Sequence, residues 1–230
     1  MNEIREIIIK SIAIIGGTGQ EGKGLAYRWA GAGYSILIGS RREEKALAAA
    51  KDVKELLGIG PAADAVQGLT NPDAVAKCDL AVLTVPFSAH IPILESLKDL
   101  LQGKILIDVT VPLVPPKVSK VQMPPAGSAT LEAQEVLGEG VQVVAAFQNI
   151  SYENLLGTSE MDCDVMVCGG KKASRAEVLK LVSAAGLIGW DAGPAENAVV
   201  VEGLTSILIG LNKKYGVHGS GIRITGIPRD

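Results

Sequence analysis

The sequence predicts an α/β protein built on a doubly wound parallel sheet, followed by a smaller C-terminal α/β unit. Three observations carry that expectation. Short apolar runs alternate with helix-patterned segments as far as residue 147. Glycines 17, 19 and 22 fall where the first apolar run gives way to a helical pattern. A proline-rich stretch, 110–127, breaks the alternation directly after a strand-like run. Strand–helix alternation implies right-handed crossovers and a parallel sheet covered by helices on both faces. In such sheets, ligands lie beyond the carboxyl ends of the strands.

Taken in order, residues 1–10 read as a short extension into the first strand, 12–15. Leu25, Ala26, Trp29 and Ala30 then recur at helical spacing up to the glycines at 31–33, which suit a C-terminal cap. A second strand covers 34–38 and an Ala-rich helix 43–57, stopped by Gly58, Gly60 and Pro61. A short strand at 65–67 precedes a helix opened by Asn71 as cap and Pro72 at its first position. Strands at 79–85 and 105–109 flank a helix that ends near 101. The prolines at 112, 115, 116, 124 and 125 forbid a regular helix through 110–127. Ser128 caps a helix to 137, and a strand follows at 141–147. Beyond it come a strand at 164–168, a helix at 174–185, a strand at 187–191 and a long helix at 196–215. The domain division is placed at 1–148 and 149–230.

The glycine turn has a specific chemistry. Gly17, Gly19 and Gly22 match the G-x-G-x-x-G spacing between strand and helix that marks a Rossmann-type dinucleotide-binding unit. Gly17 takes the tight turn, Gly19 lets a pyrophosphate approach the backbone, and Gly22 lets helix and strand pack closely. The helix N-terminus adds free N–H groups and partial positive charge. After the second strand, NAD-binding units carry an acid that holds the ribose 2′-OH. Here Ser40, Arg41 and Arg42 precede any acid. Guanidinium groups bind a 2′-phosphate through charge-assisted bonds, which favours NADP over NAD.

Composition narrows the class. The net charge of −3 and an aromatic content of 3% offer neither attraction to nucleic acid nor a base-stacking platform. No apolar run approaches the roughly 20 residues that span a bilayer, and the N-terminus lacks a signal-peptide pattern. Three cysteines, Cys78, Cys163 and Cys168, read as free thiols in a reducing compartment, hence a cytoplasmic location. With His90 and His218 the sole histidines, no metal site is expected. His90 reads as a partly buried helix residue and His218 as a turn residue. Lys213, Lys214, Arg223 and Arg229 read as solvated surface or as contacts to an acidic cofactor tail.

With these residues laid out, the chain resembles the family of NADPH-dependent coenzyme F420 reductases (F420H2:NADP oxidoreductases). The resemblance rests on Gly16-Gly17-Thr18-Gly19-x-x-Gly22-Lys23-Gly24-Leu25-Ala26 and Gly39-Ser40-Arg41-Arg42-Glu43-Glu44-Lys45-Ala46. It continues through Leu83-Thr84-Val85-Pro86, Val165-x-Val167-Cys168-Gly169, Asp191-Ala192-Gly193-Pro194 and Val201-Glu202-x-Leu204-Thr205. It implies a Rossmann domain with a smaller C-terminal domain, in a homodimer or higher homo-oligomer. It also implies that Thr18, Gly19, Gln20 and Glu21 line the pyrophosphate and its ribose, and that Ser40, Arg41 and Lys45 hold the 2′-phosphate. Thr84, Val85, Pro86 and Val111 would lie at the nicotinamide. The family's histidine at the deazaflavin pocket is Gln148 here, which hydrogen-bonds but does not titrate. Glu21 stands where the family commonly has an apolar residue.

Hydride transfer between two planar rings needs orientation and exclusion of water more than side-chain chemistry. The chain fits that: it shows no nucleophile–base pair, so no catalytic side chain is assigned. The expected activity is hydride transfer between NADPH and an F420-like deazaflavin stacked between Pro86, Gln148 and the segment 168–170. The alternatives are an NADPH-dependent flavin, quinone or metal-chelate reductase, or a non-catalytic NADP(H) sensor.

Overall fold

A computed structural model of the chain describes residues 9–157 and 161–229, so most of the N-terminal extension lies outside it. The elements in chain order are β1 (Ser11–Ile15), α1 (Gln20–Gly31), β2 (Ser35–Ser40), α2 (Glu43–Leu57), α3 (Pro61–Asp64), β3 (Val66–Thr70) and α4 (Asn71–Lys77). They continue with β4 (Leu80–Leu83), α5 (His90–Leu101), β5 (Ile105–Asp108), α6 (Ala129–Leu137), β6 (Gln142–Ala145) and α7 (Tyr152–Leu156). Last come β7 (Asp164–Gly169), α8 (Lys172–Ala184), β8 (Ile188–Gly193) and α9 (Ala198–Tyr215).

The eight strands form one sheet in the order β3-β2-β1-β4-β5-β6-β7-β8. Every neighbouring pair is parallel except β6 and β7, where Ala145 lies opposite Cys168. The strand order reverses at β1, which pairs with β2 on one side and β4 on the other. That reversal opens the crevice in which such sheets bind ligands. The two units expected on either side of residue 148 share this sheet: β7 and β8 extend it beyond β6.

Alternation along each strand builds two cores. Ile12 and Ile14 of β1 face one layer with Leu25 and Trp29 of α1, Val53 of α2 and Leu181 of α8. Ala13 and Ile15 face the other with Val75 of α4, Leu94 and Leu97 of α5, and Leu137 of α6. Both faces of β1 are buried, which is why it reads as an unbroken apolar run. Trp29 is fully buried, donates from Nε1 to the Leu181 carbonyl at 2.8 Å, and meets Phe147 edge-on at 5.6 Å.

Several local expectations shift. Helices α3 and α7, of four and five residues, add to the expected elements; both are too short to show a period. Thr70, not Asn71, caps α4: its hydroxyl accepts from the Asp73 amide at 3.3 Å. Asn71 is buried instead, and its Oδ1 accepts from the Gly16 amide at 3.2 Å. Ser128 does cap α6, accepting from the Leu131 amide at 3.0 Å. Arg229 is not solvated surface, because it pairs with the fully buried Asp164.

Candidate active site

The glycine turn closes on itself. The Gly17 amide donates to the carbonyls of Ile14 (3.1 Å) and Gly39 (3.0 Å), tying the turn to β1 and β2. A Cβ on Gly22 would stand 2.6 Å from the Gly17 Cα, so these two glycines are in backbone contact. Gly19 differs: it is exposed, forms the N-cap of α1, and a Cβ there would meet nothing within 4 Å. Two of the glycines therefore serve packing, and the third leaves bare backbone facing open space at a helix N-terminus, as an anion needs.

A cleft of about 1140 Å³ opens beside this turn, lined by Gly16, Thr18, Ser40, Arg41, Arg42 and Lys45 among others. Ser40 is buried and its Oγ accepts from the Arg42 amide at 3.3 Å, which shapes the turn after β2. Arg42 pairs outward with Glu44 at 3.1 Å. Among the described residues, neither the Arg41 guanidinium nor the Lys45 ammonium has a partner. Two cations without counter-ions at the mouth of a cleft are a fit for a phosphate.

A second cavity of about 680 Å³ adjoins the first: Val85 and Pro86 line both. Glu21, Thr84, Thr110, Val111, Gln148 and Asn149 also line it, and α9 supplies Thr205, Leu208, Ile209 and Asn212. Four buried polar atoms without partners belong to residues of this lining: Glu21 Oε1, Thr110 Oγ1, Gln148 Oε1 and Asn149 Oδ1. Buried polar atoms are almost always hydrogen-bonded, so four orphans around one cavity mark a place for a ligand's polar groups.

The sequence around the cavity explains how those atoms are held. Phe147, just after β6, is the one non-glycine residue with positive φ among those described (φ 72°). It turns the chain back so that Gln148 and Asn149 both border the cavity. Gln148 Nε2 donates to the Asp108 carbonyl at 2.7 Å, and that fixed acceptor orients the amide. Asn149 Nδ2 donates to the Val201 carbonyl (2.9 Å) and to Thr205 Oγ1 (3.0 Å), while Thr205 Oγ1 donates to the Gln148 carbonyl at 2.8 Å. Arg28 of α1 secures α7, and with it Tyr152, by donating to the carbonyls of Leu155 (2.7 Å), Asn154 (2.9 Å) and Gly157 (2.6 Å).

Behind the cavity lies a buried charged cluster. Asp108 Oδ1 accepts from the Thr110 amide at 3.0 Å, and its Oδ2 contacts His90. Glu202 of α9 is fully buried and accepts from the amides of Ala129 (2.7 Å) and Thr130 (3.0 Å) and from the Thr130 hydroxyl (2.8 Å). Burial pushes its carboxyl up to about 7, against those hydrogen bonds. The acid thus satisfies donors at the N-terminus of α6 that its own residues leave open.

The residues singled out from the sequence divide between the two cavities. Thr18, Ser40, Arg41, Arg42 and Lys45 gather at the first; Glu21, Thr84, Val111 and Gln148 at the second; Val85 and Pro86 where they meet. Gln20 is exposed and, like Gly17, Gly19 and Gly22, lines neither. The segment 168–170 does not form a wall of the second cavity, contrary to expectation. β7 runs antiparallel to β6, so its carboxyl end points away from the edge where the cavity opens. The wall comes from α9 and the turn holding His218 and Ser220. Thr110, Asn149 and Asn71 were missed as site residues. Asn149 directly follows Gln148 in the sequence, and that adjacency was the available signal.

Fold and cavities together define a Rossmann-type dinucleotide-binding protein with a second ligand cavity at the carboxyl edge of its sheet. The model of the family "NADP oxidoreductase coenzyme F420-dependent" matches residues 11–112. The F420-dependent NADP reductase of Methanothermobacter thermautotrophicus is 39% identical over 231 residues, covering 97% of this chain and 98% of that protein. The one from Methanocaldococcus jannaschii is 40% identical over 222 residues, covering 94% and 98%. A crystal structure from Arthrobacter sp. FB24, assigned as an F420-dependent NADP-reductase, superposes with a TM-score of 0.77 at 24% identity, covering 95% of this chain and all of that one. NADP-bound pyrroline carboxylate reductase of Plasmodium falciparum shares the fold, with a TM-score of 0.57 at 16% identity over 90% of this chain and 64% of its own. The chain belongs to the family of coenzyme F420-dependent NADP oxidoreductases.

Proposed function

We propose that this protein transfers a hydride between NADP(H) and coenzyme F420. The observation that carries the proposal is the junction of the two cavities at Val85 and Pro86, with cations at the far end of one and orphaned polar atoms around the other. The bound cofactors supply the redox chemistry, a hydride passing between the nicotinamide and deazaflavin rings. Arg41 and Lys45, with Ser40, hold the 2′-phosphate. The turn Gly17–Gly22, with Thr18, Gly19 and Gln20, receives the pyrophosphate on bare main chain. Thr84, Val85, Pro86 and Val111 press the nicotinamide toward the second cavity. Gln148 and Asn149 meet the polar edge of the acceptor, and Leu208 and Ile209 of α9 help to exclude water. One proton accompanies the hydride onto the oxidised acceptor and is released to solvent in the reverse direction; no side chain is assigned to carry it, so orientation and desolvation are what the protein contributes.

In this reading residues 1–148 bind NADP(H) and residues 149–230 complete the acceptor site. Self-association into a homo-oligomer would cover Val199, Val200, Ile207 and Leu211, which α9 leaves exposed. With three free buried thiols and no described helix long and apolar enough to cross a membrane, the reading places the protein in the cytoplasm.

The test is a steady-state assay with NADPH against F420, FMN, FAD and a quinone. Turnover with F420 well above the others is expected. Turnover confined to flavin or quinone would replace the acceptor, and tight NADPH binding with no turnover would make the protein a sensor.

A further inference from the structure

Glu21 is an unexpected residue for its position. It lies in the first turn of α1, directly after the glycine turn, where dinucleotide phosphates bring negative charge. Yet it lines the second cavity and not the phosphate cleft. Its Oε1 is sealed from solvent and has no partner. Burial pushes the carboxyl up to about 8, so at neutral pH it carries its proton. A neutral carboxyl is a hydrogen-bond donor, whereas an ionised one only accepts.

The other orphaned atoms of the cavity have the opposite character. Gln148 Nε2 is fixed on the Asp108 carbonyl, which can only accept, so Gln148 Oε1 is left as an acceptor. Both Asn149 Nδ2 hydrogens are used on Val201 and Thr205, so Asn149 Oδ1 is an acceptor too. The cavity therefore offers two carbonyl acceptors, an adaptable hydroxyl on Thr110 and one acidic O–H. A planar ring whose edge runs C=O, N–H, C=O gives its two carbonyls to the O–H groups and its N–H to the acceptors. A quinone, with carbonyls alone, leaves two buried acceptors unsatisfied.

Resting on the F420 reading above, we infer that Glu21 is a specificity-determining residue of the second cavity, donating a hydrogen bond to a ring carbonyl of a pyrimidinedione-bearing acceptor. It selects for the acceptor, and it does not contribute to holding NADP(H).

The test titrates oxidised F420 by its fluorescence, and NADP+ by calorimetry, against the parent protein, Glu21→Leu and Glu21→Gln. Loss of the O–H should weaken F420 about tenfold in Glu21→Leu. Glu21→Gln keeps a neutral donor and should stay within about threefold of the parent. NADP+ affinity should be unchanged in both, which also establishes that the variants fold. Equal F420 affinity in the parent and Glu21→Leu would overturn the role of Glu21 while leaving the F420 reading intact. Glu21→Gln as weak as Glu21→Leu, or parallel loss of NADP+ affinity, would overturn it as well. A parent that binds NADP+ but no F420 would overturn the reading and the inference together.

Discussion

His90 Nε2 lies 2.8 Å from Asp108 Oδ2, and solvent reaches neither side chain. His90 Nδ1 faces Glu132 Oε2 at 3.6 Å. Burial disfavours the imidazolium, but the hydrogen bond and charge of Asp108, with the charge of Glu132, outweigh it and hold the His90 pKa above its ordinary value. A histidine raised in the folded state stabilises fully below its unfolded pKa of about 6.5, and that contribution fades as pH rises through the folded value. His90→Gln should therefore be less stable than the parent by about 3 kcal/mol below neutrality. The gap should narrow as pH rises. Urea unfolding of both proteins across pH 6 to 9 checks it, and parallel profiles would count against a charged pair.

Arg41 has no counter-ion among the described residues, so its charge is available to a ligand. Arg41→Ala should weaken NADPH by about 1.5–3 kcal/mol, the worth of a charged hydrogen bond, and leave NADH nearly unaffected. Dissociation constants for both nucleotides decide it. Equal losses would remove Arg41 from the 2′-phosphate.

Gly19 and Gly22 should respond differently to a side chain. A Cβ on Gly19 meets open space, so Gly19→Val should fold normally but bind no nucleotide. A Cβ on Gly22 would run into the Gly17 backbone, so Gly22→Ala should lower the melting temperature. Melting curves with and without NADP+ separate the two. A destabilised Gly19→Val would mean that the turn, not the ligand, requires that glycine.

Glu202 joins α9 to α6 through three donors. Glu202→Leu leaves all three buried without an acceptor and should cost about 3 kcal/mol or more. Burial holds the folded carboxyl near 7, well above the ordinary glutamate range, so its contribution is greatest in acid and is lost as pH rises through about 7. The deficit of the variant should accordingly be larger at pH 5 than at pH 8. A deficit that grows with pH would reverse the assignment.

The parts of this protein that were legible in the sequence are those whose cause is local. The run Ile12–Ile15, the glycines after it and the arginines after β2 each announce themselves within a few residues. The same holds for the Ser128 cap and the proline-rich loop. What could not be read depends on partners brought from afar by the sheet. His90 meets Asp108 only because a helix returns over the neighbouring parallel strand. Glu202 finds its donors more than seventy residues upstream. The reversal at β7 is set by the pairing of Ala145 with Cys168, and nothing in the strand's own apolar pattern distinguishes parallel from antiparallel. Glu21 reads from the sequence as part of the glycine turn, whereas its side chain lines the other cavity.

The seam at Val85 and Pro86 has a kinetic consequence. No cysteine lines either cavity, and all three thiols are buried, with Cys168 pushed up to about 12 by desolvation and the nearby Glu202 charge. Among the described residues, none is therefore assigned to hold reducing equivalents between one substrate leaving and the next arriving. Both must be aboard together, so initial-rate plots at several fixed acceptor concentrations should converge to a common point. Parallel lines, the mark of ping-pong exchange, would mean that the protein itself holds the electrons in between.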